Sequence, residues 1–255
     1  MDQPIERSQW QKVIQQQKGQ ITLPSAFPND AELRNTYQVA RALDPLLLDY
    51  FNNLSFTIDK EQMQQGIESI LTRFKVEILT SLHTKTLSVQ KEKNAKNQRF
   101  SNIFEFAGCR KFYLSSIYTR VISENLGHKI EEIANLSPYI FNPEFELSIS
   151  LKGIDFIVFW QTDLYYGQMK TKKDTLTGSQ GSRSINELRI HPRSMFIAAL
   201  DMGAGTNPSK KKAEAAGIRL EVGESFWSKI GIVYSDMLNK IAATLRDIEQ
   251  ELYDE

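Results

Sequence analysis

Apolar residues recur every three or four positions in three long stretches of the chain, and this spacing predicts amphipathic helices. The stretches cover residues 63–82, 112–126 and 237–252. Gly127 follows the second stretch and predicts a break there, before one or two further helical turns that end at Leu136. Both the first half and the end of the chain are therefore expected to be helical.

Two further positions mark predicted helix boundaries. Residues 31–43 have a weaker helical pattern. Pro45 should separate it from a short apolar stretch at residues 46–51, because a proline inside a helix cannot donate a backbone hydrogen bond. Ser235 is a suitable N-cap for the last helix, because its hydroxyl can accept a hydrogen bond from a backbone N–H group of the first turn.

The pattern changes from helical to strand-like near residue 145. Apolar and polar residues alternate over residues 145–152, a nearly continuous apolar run follows over residues 154–160, and another strand pattern covers residues 164–171. A tight turn at residues 161–163 joins the last two. Together the three stretches predict a meander of three strands.

Beyond residue 172 the chain is expected to alternate between loops, strands and helices. Small and basic residues predict a loop over residues 172–184, which is followed by a buried strand over residues 194–202. A short helix at residues 210–216 should stop at Gly217, and residues 218–222 predict one more strand.

Composition and charge narrow the class of protein. The 255 residues, 41% of them hydrophobic, suffice for one large domain or for a core domain with a helical extension. Lysine plus arginine equals aspartate plus glutamate at 31 each, so attraction to a polyanion requires local clusters of positive charge. One cysteine, Cys109, and three scattered histidines exclude an internal disulfide and a zinc-type ligand cluster. Without an apolar signal segment or membrane span, a cytoplasmic protein is expected.

One local cluster of positive charge lies between the predicted helices. Residues 83–102 are polar and carry a single acid, Glu92. Their five cations are Lys85, Lys91, Lys93, Lys96 and Arg99. The segment is either a solvated linker or an arm that faces DNA, and a charge run alone does not decide between the two.

Three polar residues on the predicted hairpin point to hydrolysis of a phosphodiester. Residues two apart on a strand share a face, so Gln168 and Lys170 project together. Asp155 lies close to both if the two strands pair as a hairpin. Asp155 can then ligate a divalent cation, with Gln168 supplying an amide oxygen or orienting a water. Lys170 can stabilise developing charge or help to position and deprotonate the attacking water. The carbonyl of Met169 is a further candidate ligand.

A structural interpretation of the same three residues stands beside the chemical one. Lys170 can be a solvated strand-end lysine, Gln168 an ordinary polar residue of one face, and Asp155 an acid that stabilises a turn. The apolar strand expected around Asp155 argues against it, because a lone buried carboxylate is costly without a partner.

These residues resemble the active-site pattern of the PD-(D/E)xK nuclease superfamily, whose core is a helix, a three-stranded meander, a helix and further strands. In this resemblance Asp155 stands at the metal-binding aspartate, Gln168 at the second acidic position and Lys170 at the lysine. The superfamily often adds a glutamate from the preceding helix. Glu131 is the first choice for that residue and Glu132 the second.

Two residues depart from the superfamily pattern. Ile154 stands where the pattern has a proline, and Gln168 stands where it usually has a carboxylate. The glutamine removes a negative charge from the metal site, which argues against a second bound cation. The glutamine-x-lysine form is similar to that of some methylation-dependent restriction enzymes of the superfamily.

The resemblance covers residues 112–230 and implies a fold of the α/β (α+β) class. A restriction-endonuclease-like core over residues 101–255, with a central mixed sheet flanked by helices, would follow a helical region over residues 1–100. The implied activity is a Mg²⁺-dependent endonuclease, a type II restriction enzyme that cuts double-stranded DNA as a twofold homodimer. Asp155, Glu131 and the Met169 carbonyl are the implied metal ligands.

Other functions remain open beside the restriction enzyme. The same core occurs in repair and RNA-processing nucleases, and a non-catalytic nucleic-acid-binding module is the other alternative. The helical N-terminal region is the natural place for dimer contacts or for recognition. The residues expected to contact DNA are Lys172, Lys173, Ser182, Arg183 and Ser184 in the predicted loop, and Asn186, Arg189 and Arg193 after it.

Overall fold

The chain forms two compact units. A computed structural model describes residues 6–91, 102–173, 178–203 and 208–253, without the side chains of residues 85–91, 178–180, 208–210 and 253. The first unit consists of Met1–Lys60 and Ala134–Tyr234, and the second of Glu61–Ile133 and Ser235–Glu255. The predicted division at residue 100 falls within the second unit.

A mixed five-stranded sheet forms the centre of the first unit. Its strands are β1 (Ile140–Phe141), β2 (Phe156–Trp160), β3 (Asp163–Lys172), β4 (Ser194–Leu200) and β5 (Arg219–Val222). They lie in the order β1-β2-β3-β4-β5, with β1, β2 and β3 antiparallel and with β4 and β5 added in parallel. The predicted mixed sheet in an α+β chain is confirmed.

Helices account for most of the remaining described chain. In chain order they are α1 (Trp10–Gln17), α2 (Ala31–Asn53), α3 (Lys60–Lys91), α4 (Ile103–Phe106), α5 (Arg110–Ala134), α6 (Pro143–Leu147), α7 (Gly178–Leu188), α8 (Pro208–Ala215), α9 (Glu224–Trp227) and α10 (Tyr234–Tyr253). Except for terminal residues, α3, α4, α5 and α10 belong to the second unit and the others to the first. Within the described residues no helix is long and apolar enough to cross a membrane.

Different helices of the first unit pack on the two faces of the sheet. On one face, α1 and α2 contribute apolar residues to a core that includes Ile157, Tyr166 and Phe196. The ring of Phe51 on α2 stacks on Phe159 of β2 with 4.7 Å between centroids. On the other face, α9 packs on the sheet, where Trp227 donates a 2.7 Å hydrogen bond to the Ala199 carbonyl. The sheet is thus a middle layer, and this explains the apolar run of β2.

Two predicted helix breaks are wrong. The helix α2 continues through Pro45, which lies between the fully buried residues Leu43 and Leu47. The helix α5 continues through Gly127, three residues before the buried Ile130. In both cases the apolar face of the helix remains in register beyond the unfavourable residue, so burial outweighs the local preference.

The strand predicted over residues 145–152 is also wrong, because α6 occupies its first half. Asn142 caps this helix by accepting hydrogen bonds from the N–H groups of Glu144 and Phe145, at 3.1 and 3.0 Å. Pro143 occupies the first helical position. A backbone N–H at this position makes no hydrogen bond within the helix, so a proline, which lacks the N–H, costs nothing there. The meander therefore starts with the short strand β1 instead.

Other boundaries shift by less. The predicted loop at residues 172–184 gives way to α7 from Gly178 onward, and residues 174–177 lie outside the described residues. The last helix begins at Tyr234, so Ser235 lies inside its first turn and is not the N-cap. The strands β3, β4 and β5 and the helix α8 lie where they were predicted, within one to three residues.

The basic segment at residues 83–102 is partly helical. The predicted helix at residues 63–82 is confirmed and continues to Lys91 as part of α3. The first half of the segment is therefore not a linker. Its remaining cations Lys93, Lys96 and Arg99 lie outside the described residues, so the choice between linker and DNA-facing arm stays open for them.

Tyr166 anchors β3 to α2 through its hydroxyl group. This hydroxyl lies 2.7 Å from one carboxylate oxygen of Asp44 and 2.9 Å from the Ala40 carbonyl. Arg41 forms a 3.0 Å ion pair with the other Asp44 oxygen. Burial raises the pKa of Asp44, and Arg41 and the Tyr166 hydroxyl offset this rise only in part. These contacts fix the face of β3 that also carries Gln168.

His191 stacks on Tyr166 in the same cluster. The ring centroids lie 4.2 Å apart with planes inclined by 8°, and His191 is 5% exposed. Neither ring nitrogen has a hydrogen-bond partner among the described residues. Burial, and secondarily the positive charge of Arg41, lowers the pKa of His191 to about 3. The imidazole is therefore uncharged at neutral pH, which suits a structural role.

Replacing Pro45 tests whether burial maintains α2 against a local cost. Pro45 is exposed, so Pro45→Ala removes little packing and restores the hydrogen bond to the Arg41 carbonyl. We expect the free energy of unfolding, measured by guanidinium denaturation, to rise by about 1–2 kcal/mol. Arg34→Ala, at an exposed position of the same helix, should change it little. A loss of stability in Pro45→Ala would show that the proline is required where it stands.

Replacing His191 tests the burial of an uncharged imidazole. Below about pH 6.5 the unfolded chain binds a proton at this residue, whereas the folded chain binds it only near a pKa of about 3. Stability that is present above pH 6.5 is therefore lost as the pH falls through this window. In His191→Phe, which retains the stacked ring, the slope of unfolding free energy against pH should decrease by about one proton. An unchanged slope, measured by urea denaturation, would show that the folded protein protonates His191.

Candidate active site

The hairpin of β2 and β3 places Asp155 opposite Gln168. Phe156 pairs with Gly167 in the antiparallel register. Asp155, which precedes Phe156, therefore faces Gln168, which follows Gly167. The Asp155 N–H donates a 2.9 Å hydrogen bond to the Gly167 carbonyl. The two-residue turn has positive φ angles at Gln161 and Thr162, as expected for a tight hairpin whose twist matches the strands. Asp155 precedes β2 directly, so its predicted position inside the strand is corrected by one residue.

The Asp155 carboxylate is held by the backbone of the neighbouring strand. Its Oδ2 atom accepts a 2.6 Å hydrogen bond from the N–H group of Met169. A bond between an amide and a charged carboxylate is stronger than one between neutral groups. The side chain of Asp155 is half-buried. The carboxylate therefore has a fixed place beside the strand segment that carries Gln168 and Lys170.

Gln168 brings an unsatisfied acceptor to this position. The residue is 6% exposed, and its side-chain oxygen Oε1 has no hydrogen-bond partner among the described residues. Leaving a buried polar atom unpaired costs about 1–3 kcal/mol. Such an atom, on the residue that faces Asp155 in the hairpin, is suited to a ligand that brings positive charge or an O–H group, and a hydrated cation is such a ligand.

Lys170 projects from the same face of β3 as Gln168. Its partner in the register with β4 is Ala198, which has a small side chain. The half-buried Lys170 side chain makes no hydrogen bond or ion pair with any residue that the structure describes. The exposed Lys172 follows on the same face. The ammonium group of Lys170 is therefore available to a negatively charged ligand.

Asp155 and Gln168 offer part of the ligand set that a magnesium ion needs. The described residues contain no group of three or more His, Cys, Asp or Glu side chains that could hold a metal. Magnesium is usually bound through one or two carboxylates, with waters and substrate phosphates completing its six ligands. Asp155 and the unpaired oxygen of Gln168 fit such a partial set. The role of the Met169 carbonyl remains a prediction.

The glutamate predicted from the preceding helix belongs to the second unit. Glu131 and Glu132 both lie on α5. The Glu131 carboxylate lies 4.0 Å from a ring nitrogen of His128. Glu132 accepts hydrogen bonds from Arg73 at 3.0 Å and from Lys129 at 2.8 Å. The preference for Glu131 over Glu132 therefore stays a prediction.

Four of the predicted DNA-binding residues come together in one cleft of about 520 Å³. They are Ser182, Arg183, Asn186 and Arg189, on α7 and just after it. Glu187 of α7, residues 28–30, Leu33 and Lys152 also line the cleft. Residues 28–30 and Leu33, at the N-terminal end of α2, were not among the predicted DNA-binding residues. Asp30 could be recognised as an N-cap before a helical pattern, but its proximity to α7 is a tertiary contact.

The other predicted DNA-binding residues have different surroundings. Lys173 forms an ion pair with Asp201, and Arg193 forms one with Asp163 at 3.2 Å. Ser184 is 6% exposed on the inner side of α7. A direct DNA contact by Ser184 would require α7 to move. Lys173 and Arg193 would each have to exchange the carboxylate for a DNA phosphate.

Comparison with known proteins finds no matching family model, no similar curated protein and no similar solved structure. The hypothesis of a nuclease therefore depends on the pattern of Asp155, Gln168 and Lys170 and on their geometry.

Proposed function

We propose that this chain is a Mg²⁺-dependent nuclease of the PD-(D/E)xK type that hydrolyses phosphodiester bonds in double-stranded DNA. The observation that carries the proposal is the buried oxygen of Gln168, which has no hydrogen-bond partner among the described residues. Gln168 faces Asp155, whose carboxylate is anchored by the Met169 N–H, and Lys170 two residues further along β3 has no described partner either. An acceptor and a cation on one face of β3, with an anion from the neighbouring strand, match the parts that this hydrolysis requires.

Each residue has a role in the proposed mechanism. Asp155 and Gln168 would hold the metal, which supplies charge neutralisation at the phosphate and a more acidic bound water. The Met169 N–H keeps the Asp155 carboxylate oriented toward the site. Lys170 donates a hydrogen bond to the attacking water or to a phosphate oxygen, and its charge stabilises the additional negative charge of the transition state.

Among nucleases of this type, a sequence-specific restriction endonuclease is our preferred function. The cleft beside α7 offers amide, hydroxyl and guanidinium groups that can contact base edges and phosphates. A palindromic target would require two copies of the chain related by a twofold axis. Repair and RNA-processing nucleases share the same chemistry, so the substrate distinguishes these activities.

One observation favours a non-catalytic nucleic-acid-binding module as the second candidate. Asp155 is the single carboxylate in the described trio, and no cluster of three acidic or other metal-ligating side chains occurs in the described residues. A degenerate site would lose metal affinity first, because fewer anionic ligands weaken the binding of hard cations. Such a module would bind DNA and cut none.

The first test changes Asp155 and Lys170 separately. We expect Asp155→Asn and Lys170→Ala to reduce Mg²⁺-dependent cleavage of plasmid DNA by about 10²–10⁴-fold, because each removes charge that acts in the transition state. Fragment ends mapped from the wild-type digest would show whether cutting is sequence-specific, and parallel digests of RNA and branched DNA would identify the alternatives.

Asp49→Asn, at an exposed position of α2, provides the control for removal of a carboxylate outside the site. It should retain cleavage, and thermal melting should show all three variants folded. Full activity in Asp155→Asn or in Lys170→Ala would refute the assigned roles. DNA binding by the wild-type chain without cleavage, under Mg²⁺ or Mn²⁺, would favour the non-catalytic module.

Gln168→Met separates function from stability at one position. Methionine has a similar length and removes the unpaired acceptor, so the free energy of unfolding should rise by about 1 kcal/mol. Cleavage should fall by at least about 10²-fold, because the metal loses a ligand. Gln15→Met, at an exposed position of α1, should change neither property. Unaltered cleavage together with lower stability in Gln168→Met would mean that Gln168 is structural.

A further inference from the structure

The cleft between α7 and the N-terminal end of α2 has polar groups that the catalytic residues do not use. The side chains of Asn29, Ser182, Asn186 and Arg189 line it and make no hydrogen bond or ion pair with any described residue. All four residues are exposed, so they can contact a ligand without breaking a hydrogen bond to another described residue.

The carboxylates in the cleft are already neutralised. Asp30 accepts hydrogen bonds from the first turn of α2 and from Lys152 at 3.2 Å. Glu187, which is 4% exposed, accepts a 2.7 Å hydrogen bond from Arg183 Nε. With both acids paired, the unused capacity of the cleft lies in neutral amide and hydroxyl groups and in the guanidinium of Arg189. This combination suits a ligand with one anionic group and a polar ring edge.

The cleft adjoins the turn that carries Asp155. Lys152 lines the cleft, and Gly153 follows it with a φ of 74°. A Cβ atom added to Gly153 would lie 2.6 Å from the Cβ of Glu187, so α7 packs directly on this turn. The close approach requires a glycine. A ligand in the cleft would therefore lie along the chain segment that leads into the candidate active site.

We infer that the cleft binds one nucleotide of a DNA strand. Its volume of about 520 Å³ falls within the range of about 300–1,000 Å³ found for small-ligand sites. Arg189 would bind the phosphate, and the amides of Asn29 and Asn186 would contact the base edge, as amides do with adenine. The inference rests on the proposed nuclease function and adds residues 28–30 and Leu33 to the DNA-binding surface.

The test measures DNA binding by the full chain with EDTA present, so that metal and cleavage play no part. A fluorescent duplex is titrated at several salt concentrations. Arg189→Ala should reduce the slope of log K against log salt by about one, because one phosphate contact is lost. Arg189→Lys should restore the slope. Lys12→Ala, which removes an exposed cation from α1 outside the cleft, should leave the slope unchanged.

Asn186→Ala tests the base contact. It should weaken binding by about fivefold to a hundredfold on some duplex sequences and not on others, without a change of salt slope. A deoxynucleoside monophosphate should compete with the duplex better than inorganic phosphate or an unphosphorylated deoxynucleoside. Equal competition by inorganic phosphate would overturn the inference, since the cleft would then be an anion site only.

The outcomes separate this inference from the proposed function. An unchanged salt slope in Arg189→Ala overturns the nucleotide site, even when the wild-type chain cleaves DNA with Mg²⁺. A reduced slope together with the sequence-dependent effect of Asn186→Ala supports the site. If the wild-type chain then fails to cleave DNA in a separate digest with Mg²⁺, only the proposed nuclease function is refuted.

Discussion

The hydrogen bond from the Met169 N–H to the Asp155 carboxylate is the interaction on which the candidate site depends. Because β2 begins at Phe156, this N–H lies beyond the last residue pair of the hairpin, and a side chain replaces the backbone carbonyl that would otherwise accept the bond. This one contact gives the backbone N–H of Met169 a hydrogen-bond partner and orients the Asp155 carboxylate. The flanking residues Gln168 and Lys170 then necessarily lie beside it.

The rest of the first unit holds this strand in place, although the strand includes a buried polar atom that lowers stability. Tyr166 ties β3 to α2 through Asp44, and the parallel partner β4 brings only Ala198 against Lys170. Between these supports the buried oxygen of Gln168 stays unpaired. A sheet selected for stability alone would place an apolar residue there, as it does at Phe196 next to it. An unsatisfied acceptor in a well-packed strand is more readily explained by ligand binding than by folding.

Local sequence signals identified the parts of the fold that local interactions determine. The hairpin of β2 and β3 was predictable because an apolar run, a tight turn and a second run are adjacent in the chain, and this placed Asp155 near Gln168. The alternation of apolar and polar residues at 145–152 led to a wrong strand prediction, because the Asn142 cap and Pro143 favour the start of a helix. The helix break predicted at Pro45 was wrong because the neighbouring residues are buried by tertiary packing, which local sequence does not reveal. The cleft was not predictable, since Asp30 and Glu187 meet only in the folded chain.

The single carboxylate of the site has a thermodynamic consequence for the proposed nuclease. With Asp155 as the charged ligand and Gln168 as a neutral one, much of the coordination of a magnesium ion must come from water and from substrate phosphate. Binding of DNA would then raise the affinity for the metal, and by linkage the metal would raise the affinity for DNA by the same factor. A cleft that fixes a neighbouring nucleotide would strengthen this coupling, because it holds the phosphate in place before the metal binds.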